Sequence, residues 1–265
     1  YVGIDGDSFL VKEDARNAFI SQVTDLGQGL YAVAWLETDG VLWTTPGHDL
    51  HVQFFDAASQ ALGDELVLDD AGPISSVDRF SIDANASGDL VVYAQRSEMN
   101  GNQFFSLWEI DQETQQPLLL DSRSNISWNS NSTGFTLVDD GSGVDQVVYS
   151  YSVLDDQLGR DYYDIYVGID GDSFLVKEDA ERAQAPQVAD LGQGRYAVAW
   201  VEHSGFYTDD NGLLWTESDA HVQFFDAESQ PVGDELVLDD AGAIQNVGWF
   251  SIDANASGDL VVYAK

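Results

Sequence analysis

Between residues 30 and 37 the chain reads LYAVAWLE, and its bulk alternates: Tyr31, Val33 and Trp35 fall on one face of an extended strand, Ala32 and Ala34 on the other. A period of two marks a β-strand, because successive side chains leave the backbone on opposite faces. Strands of the same kind recur as DLVVYAQRS (89–97), DQVVYSYSV (145–153), RYAVAWVE (195–202) and DLVVYAK (259–265). Each follows a shorter strand and a glycine-containing turn, as in QVTDLGQG, FSIDANASG, FTLVDDGSG and QVADLGQG. After a loop comes a third strand (LHVQFFDA, QFFSLWEID, YYDIYVGID, AHVQFFDA), and a polar turn leads to a fourth (DELVLDD, QPLLLDS, SFLVKED, DELVLDD). No segment holds a helical apolar period over several turns, so the pattern predicts an all-β chain with helix nearly absent.

A longer rhythm overlies the shorter one. YVGIDGDSFLVKEDA stands at 1–15 and again at 166–180, HVQFFDA at 51–57 and 221–227, GDELVLDDAG at 63–72 and 233–242, SIDANASGDLVVYA at 81–94 and 251–264. Four antiparallel strands recurring along the chain are the signature of a β-propeller blade. The expected fold is therefore a β-propeller of four-stranded antiparallel blades, read as one domain over 1–265. Its parts are a half-blade at 1–14, blades at 21–70, 79–122, 134–179 and 186–240, and a half-blade at 249–265. The first half-blade holds third and fourth strands and the last holds first and second, so together they make a fifth blade. Pairing within one chain would close a ring of five blades; pairing between chains would make a head-to-tail fibre.

Composition sharpens this picture. With 44% apolar residues in 265, the chain can bury a substantial core, which excludes a disordered segment despite its acidity. Against 47 acidic residues stand 10 Lys and Arg, a formal net charge of −37, and lysine occurs only at Lys12, Lys177 and Lys265. Such a surface repels phosphate backbones and anionic headgroups, which excludes nucleic acid and membrane insertion as partners. It also repels itself unless cations screen or bind it, which points to a salty or calcium-containing medium. There is no cysteine, hence no disulfide and no thiolate metal site. Asn-X-Ser/Thr triplets occur at Asn85, Asn125, Asn131 and Asn255.

The passages SQVTDLGQGLYAVAWLE…HVQFFDAASQALGDELVLDD and PQVADLGQGRYAVAWVE…HVQFFDAESQPVGDELVLDD resemble the repeats of very large secreted or surface proteins of bacteria, adhesin-like and calcium-associated. The match is good over roughly 22–68 and 187–238 and holds in outline elsewhere. It departs at Phe54 and Phe224, where those repeats carry arginine, and at the turn Ala-Ser-Gln or Glu-Ser-Gln, where they carry Asp-Gly. The resemblance implies an extracellular or cell-surface setting, often rich in calcium, and attachment or scaffold duty. It supplies no catalytic residue.

Several residues invite chemistry. DANASGDL places oxygen side chains at alternate positions, Asp83, Asn85, Ser87 and Asp89, then Asp253, Asn255, Ser257 and Asp259, a pattern that suits a hard cation such as Ca²⁺. The same residue types favour tight turns with no ion present. GIDGDS, with Asp5 and Asp7 or Asp170 and Asp172, is weaker, since Asp-Gly is also a hairpin signal. His51 and His221 begin matching strands without Cys or further His and read as ordinary strand residues. Trp43, Phe206, Tyr207 and Trp215 fall in the long loops between second and third strands, where aromatics can stack on sugars. Trp35, Trp108, Trp200, Phe54 and Phe224 fall within strands and are expected in the core.

Because the acidic pairs come in near-identical copies, and an asymmetric active site is built once, the sequence favours a non-enzymatic extracellular structural or adhesion module, fibre- or surface-layer-forming. Its partners would be copies of itself, cell-surface components or glycans. A carbohydrate-binding, lectin-like propeller is the second reading and a glycoside hydrolase the third.

Overall fold

A computed structural model describes residues 2–4, 7–9, 11, 18–38, 48–68, 75–98, 103–124, 135–139, 145–154, 162–208, 214–238, 250–255 and 257–264. Two strands, β1 (Val2–Ile4) and β2 (Asp7–Phe9), form a first sheet. The second holds β3 (Phe19–Gly27), β4 (Leu30–Thr38), β5 (His48–Phe55) and β6 (Ala61–Val67); the third holds β7 (Ser75–Ala84), β8 (Leu90–Glu98), β9 (Gln103–Ile110) and β10 (Pro117–Ser124). The fourth holds β11 (Phe135–Asp139), β12 (Asp145–Leu154), β13 (Tyr162–Ile169) and β14 (Asp172–Glu181). The fifth holds β15 (Gln184–Gly192), β16 (Arg195–Thr208), β17 (Leu214–Phe225) and β18 (Pro231–Leu238), and β19 (Phe250–Ala254) pairs with β20 (Leu260–Ala264). Each four-stranded sheet is an antiparallel meander in chain order, the blade of a β-propeller. Among the described residues there is no helix, and so none long and apolar enough to cross a membrane.

The chain divides into two compact units, Tyr1–Ser124 and Asn125–Lys265. Within each, blades pack face on face as the alternation of YAVAW demands. In the first unit Ala32, Ala34 and Leu36 lie in one buried cluster with Val92, Ala94, Trp108 and Ile110 of the following blade. The bulky face, Tyr31, Val33, Trp35 and Phe55, packs with Val11 instead. The second unit repeats the arrangement: Tyr196, Val198, Trp200 and Phe225 cluster with Val148, Ile165 and Val167 of the blade before, while Ala197, Ala199 and Val201 cluster with Phe250 and Ile252 of the strand pair after. Trp35, Trp108, Trp200 and Phe54 are buried as expected, and Phe224 is partly so.

A glutamine staples neighbouring first strands. Gln22 on β3 donates its amide N–H to the Phe80 carbonyl (2.9 Å) and accepts from the Ile82 N–H (3.1 Å) on β7. Gln187 on β15 does the same to Phe250 (2.8 Å) and Ile252 (3.2 Å) on β19. The side chain thus pairs with a strand as a backbone amide would, satisfying groups that blade packing removes from water.

Turn chemistry follows the sequence. In LGQG, Gln28 and Gly29 take φ of 55° and 78°, and Gln193 and Gly194 take 61° and 75°, the two consecutive left-handed residues of a tight hairpin turn. Asp170 and Gly171 (φ 48° and 96°) do likewise between β13 and β14, so the Asp-Gly of GIDGDS is a hairpin turn there.

Candidate functional site

Cross-strand register assembles the first cluster. Trp35 and Glu37 lie two apart on β4 and share a face; Trp35 pairs with His51 on β5, and His51 pairs with Val67 on β6, two residues from Glu65. The indole and imidazole stack with centroids 5.5 Å apart and 14° between planes. His51 Nδ1 lies 2.6 Å from Glu65 Oε1, its Nε2 lies 4.0 Å from Glu37 Oε2, and the Trp35 indole N–H donates to Glu37 at 3.4 Å.

The second unit carries the same constellation. Trp200 stacks on His221 at 5.5 Å and 15°, His221 Nδ1 lies 2.6 Å from Glu235 Oε1 and 3.8 Å from Glu202 Oε1, and the Trp200 indole donates to Glu202 at 2.8 Å. Here the blade before contributes too: Lys177 on β14 donates to both Glu235 oxygens (3.0 and 3.3 Å), and the Glu181 N–H donates to Glu202 (3.2 Å). Burial works to raise the Glu235 carboxyl, but hydrogen bonds from His221 and Lys177 outweigh it and hold the group below its usual range. His51 and His221, expected as ordinary strand residues, are thus each the buried centre of a Glu–His–Glu group.

The other cluster is acidic and lies wholly in the second unit. Asp139 and Asp145 are directly opposed partners at the end of the β11–β12 ladder. Like charges so placed oppose sheet formation. Asp190, near the end of β15, is joined to them through the β15–β16 turn, whose Gly194 N–H donates to the Asp139 carbonyl at 2.8 Å. Burial, chiefly, pushes the Asp190 carboxyl upward; the Gly192 N–H, which donates to it at 2.8 Å, works against this, and the charges of Asp139 and Asp145 add to the rise. Asp25 occupies the matching position in the first unit and is exposed. Close by in the chain, the half-buried His203 ring bonds to Ser218 Oγ (2.6 Å), and burial together with Arg182 keeps it neutral to lower pH than usual.

The DANASGD residues form a turn. Asn85 Oδ1 accepts from the Ser87 and Asp89 N–H groups (3.0 and 2.9 Å), Asp83 Oδ1 from Ala84 (2.9 Å), and Asp89 Oδ1 from Gln112 (3.0 Å). Asn255 accepts likewise from Ser257 and Asp259 (2.8 and 3.0 Å), and Asp253 from Ala254 (2.8 Å). Of the aromatics, Trp43 lies outside the described residues. Phe206, Tyr207 and Trp215, expected in a loop, belong to a ladder that runs on past a bulge at His203/Gly205, with Tyr207 opposite Trp215.

No protein-family model and no curated protein matches the chain by sequence. Solved structures resemble it in fold. An α-L-arabinofuranosidase from Fusarium graminearum in complex with an iminosugar inhibitor is similar with a TM-score of 0.56 at 10% identity, over 94% of this chain and 76% of that one. An α-L-arabinanase from Penicillium chrysogenum complexed with arabinobiose gives 0.53 at 12%, over 93% and 74%. A Hadza microbial sialidase gives 0.51 at 10%, over 94% and 53%. At such identities the likeness is one of fold, and the fold is the propeller. The expectation of a non-enzymatic structural or adhesion module is corrected by what these three structures are named: an arabinofuranosidase, an arabinanase and a sialidase. Nor are all the acidic pairs duplicated: Asp139 and Asp145 lie in a stretch that occurs once in the chain.

Proposed function

We propose that the chain is a glycoside hydrolase, with Asp190 as proton donor and Asp139 and Asp145 as the partner carboxylates. Cleaving a glycosidic bond requires one carboxyl to protonate the leaving oxygen while a second, ionised, attacks the anomeric carbon or activates water. Two such groups must differ in environment, since identical carboxyls would ionise together. The observation that carries the reading is the Asp190 group. A half-buried carboxyl raised by burial and by two neighbouring aspartates holds its proton to higher pH than an ordinary aspartate, the direction an acid catalyst needs. The opposed Asp139–Asp145 pair weakens its own ladder, a cost that a role in chemistry explains.

The fold likeness supports the same reading and suggests glycans as the partner, with furanosides and sialosides the first to try. Phe206, Tyr207 and Trp215, on the extended β16–β17 ladder, are the aromatic positions proposed to meet sugar rings. An extracellular setting belongs to the proposal, supported by the acidic, lysine-poor composition and by the resemblance to repeats of secreted bacterial proteins.

The test is hydrolysis of chromogenic arabinofuranosides, linear arabinan and sialosides by the whole chain. Asp190→Asn should lower kcat by about 100-fold or more, the usual worth of a positioned acid, and flatten the alkaline limb of the pH profile. No turnover on any of these, or wild-type kcat in Asp190→Asn, would overturn the reading.

A further inference from the structure

The two Glu–His–Glu groups share no residue with the aspartate cluster and have no part in the proposed hydrolysis. We propose that Glu37, His51 and Glu65, and equally Glu202, His221 and Glu235, are two equivalent sites for a first-row transition-metal dication of the Zn²⁺ or Mn²⁺ class. In each group one donor atom per residue lies within 4.8 Å of the other two. Donors about 2.1 Å from a shared ion stand no more than about 4.2 Å apart, so side-chain adjustments within a rotamer well bring all three to one centre. The closest pair, imidazole and carboxylate at 2.6 Å, would open rather than close.

The donor set selects the metal. One imidazole with two carboxylates is a poor match for Ca²⁺ or Mg²⁺, which take oxygen ligands, and a good one for Zn²⁺, Mn²⁺ or Fe²⁺. As ligands, two carboxylates and an imidazole would bring two negative charges to the ion, which a dication offsets. Glu37 and His51 are 7% and 8% exposed and His221 is 9%, while Glu65, Glu202 and Glu235 are half-buried. The surroundings are those of a metal centre's outer shell. In both sites the indole two residues before the first glutamate donates to that carboxylate and stacks on the imidazole, fixing the orientation of two of the three ligands.

The two sites recur although the loops linking β4 to β5 and β16 to β17 differ in sequence and length. They are not identical, since Lys177 already bonds Glu235 and would compete with an ion in the second unit. Lys12 holds the matching place in the sequence of the first and lies outside the described residues.

The whole chain, freed of metal by chelator and dialysed, is titrated with Zn²⁺ and with Mn²⁺ in millimolar Ca²⁺ and physiological NaCl, so that surface carboxylates are already occupied. Calorimetry and elemental analysis should give about two ions per chain, falling to about one in His51→Gln or His221→Gln and to none in the double variant. Co²⁺ should add a visible ligand-field band that the double variant loses. Glutamine keeps a hydrogen-bonding end where histidine stood, and the melting curve of each variant reports folding separately. Binding that is absent under these conditions, or unchanged in a folded double variant, would overturn the assignment.

Discussion

Asp190 links stability and chemistry in opposite senses. Its native carboxyl is raised by burial and by Asp139 and Asp145, whereas in the unfolded chain it titrates near the ordinary value of 3.8. The native state therefore holds this proton more tightly than the unfolded state. The stabilising contribution is fully present below the unfolded pKa and is lost as pH rises through the folded one. Above the unfolded value the native state carries the burden of a half-buried group that must either hold a proton the unfolded chain has released or ionise in place. Asp190→Asn removes that burden, and its amide oxygen can still accept from the Gly192 N–H. Thermal melts should place the Tm of Asp190→Asn above wild type at pH 7, with the difference closing as pH falls below about 4. A variant that is less stable at both pH values would mean that Asp190 is held by bonds rather than strained by burial. Gain of stability with loss of turnover in one substitution is the behaviour expected of a site kept for function.

At the scale of the element, the strands are joined by two kinds of device, ladders within a blade and side chains between blades. Gln187 belongs to the second kind. It is 4% exposed and makes both of its bonds to β19, so truncation leaves the Phe250 carbonyl and the Ile252 N–H without their partner. Gln187→Ala should cost about 1–3 kcal/mol for each buried group left unsatisfied, read as a lower urea midpoint at unchanged m-value. A cost within error would mean that water replaces the amide freely. The ladders were legible in the sequence and the staples were not, for a physical reason. Alternation in YAVAW is local and states which face is bulky, so blades and their packing follow from it. Which residues meet across strands depends on register and bulges. His51 meets Glu65 because the register sets His51 opposite Val67, and Glu65, two residues along the same strand, leaves the sheet on the same face. The signal available was duplication of the whole set: Glu37, His51 and Glu65 recur together as Glu202, His221 and Glu235. The Asp190 group had no such signal, since its members come from two blades and one of those stretches occurs once. HSGFYTDDNG reads as a loop from its turn-forming residues, yet its first part extends β16, because a bulge at His203/Gly205 lets the ladder continue.

At the scale of the molecule the dominant quantity is charge. A formal −37 on 265 residues opposes compaction wherever carboxylates crowd, and the Asp139–Asp145 pair is one local instance. Two remedies differ in kind: mobile ions screen all charges over a Debye length of about 8 Å at physiological salt, while a bound ion stabilises only the state that holds its ligands. The DANASGD turns separate the two. Their oxygens already serve the turn, Asn85 toward Ser87 and Asp89, and Asp89 toward Gln112, so any Ca²⁺ there must use lone pairs that these N–H groups leave open. Sodium chloride should raise Tm steeply from low ionic strength and level off as screening saturates. If the turns hold Ca²⁺, millimolar CaCl₂ at matched ionic strength should raise Tm further, and Asp89→Asn with Asp259→Asn should abolish that excess while leaving the NaCl response intact. Asparagine keeps an acceptor for the turn and removes only the charge, so a loss confined to the Ca²⁺ increment reports binding and not damage to the fold. Equal effects of the two salts would assign the stabilisation to screening and leave the turns a purely structural role.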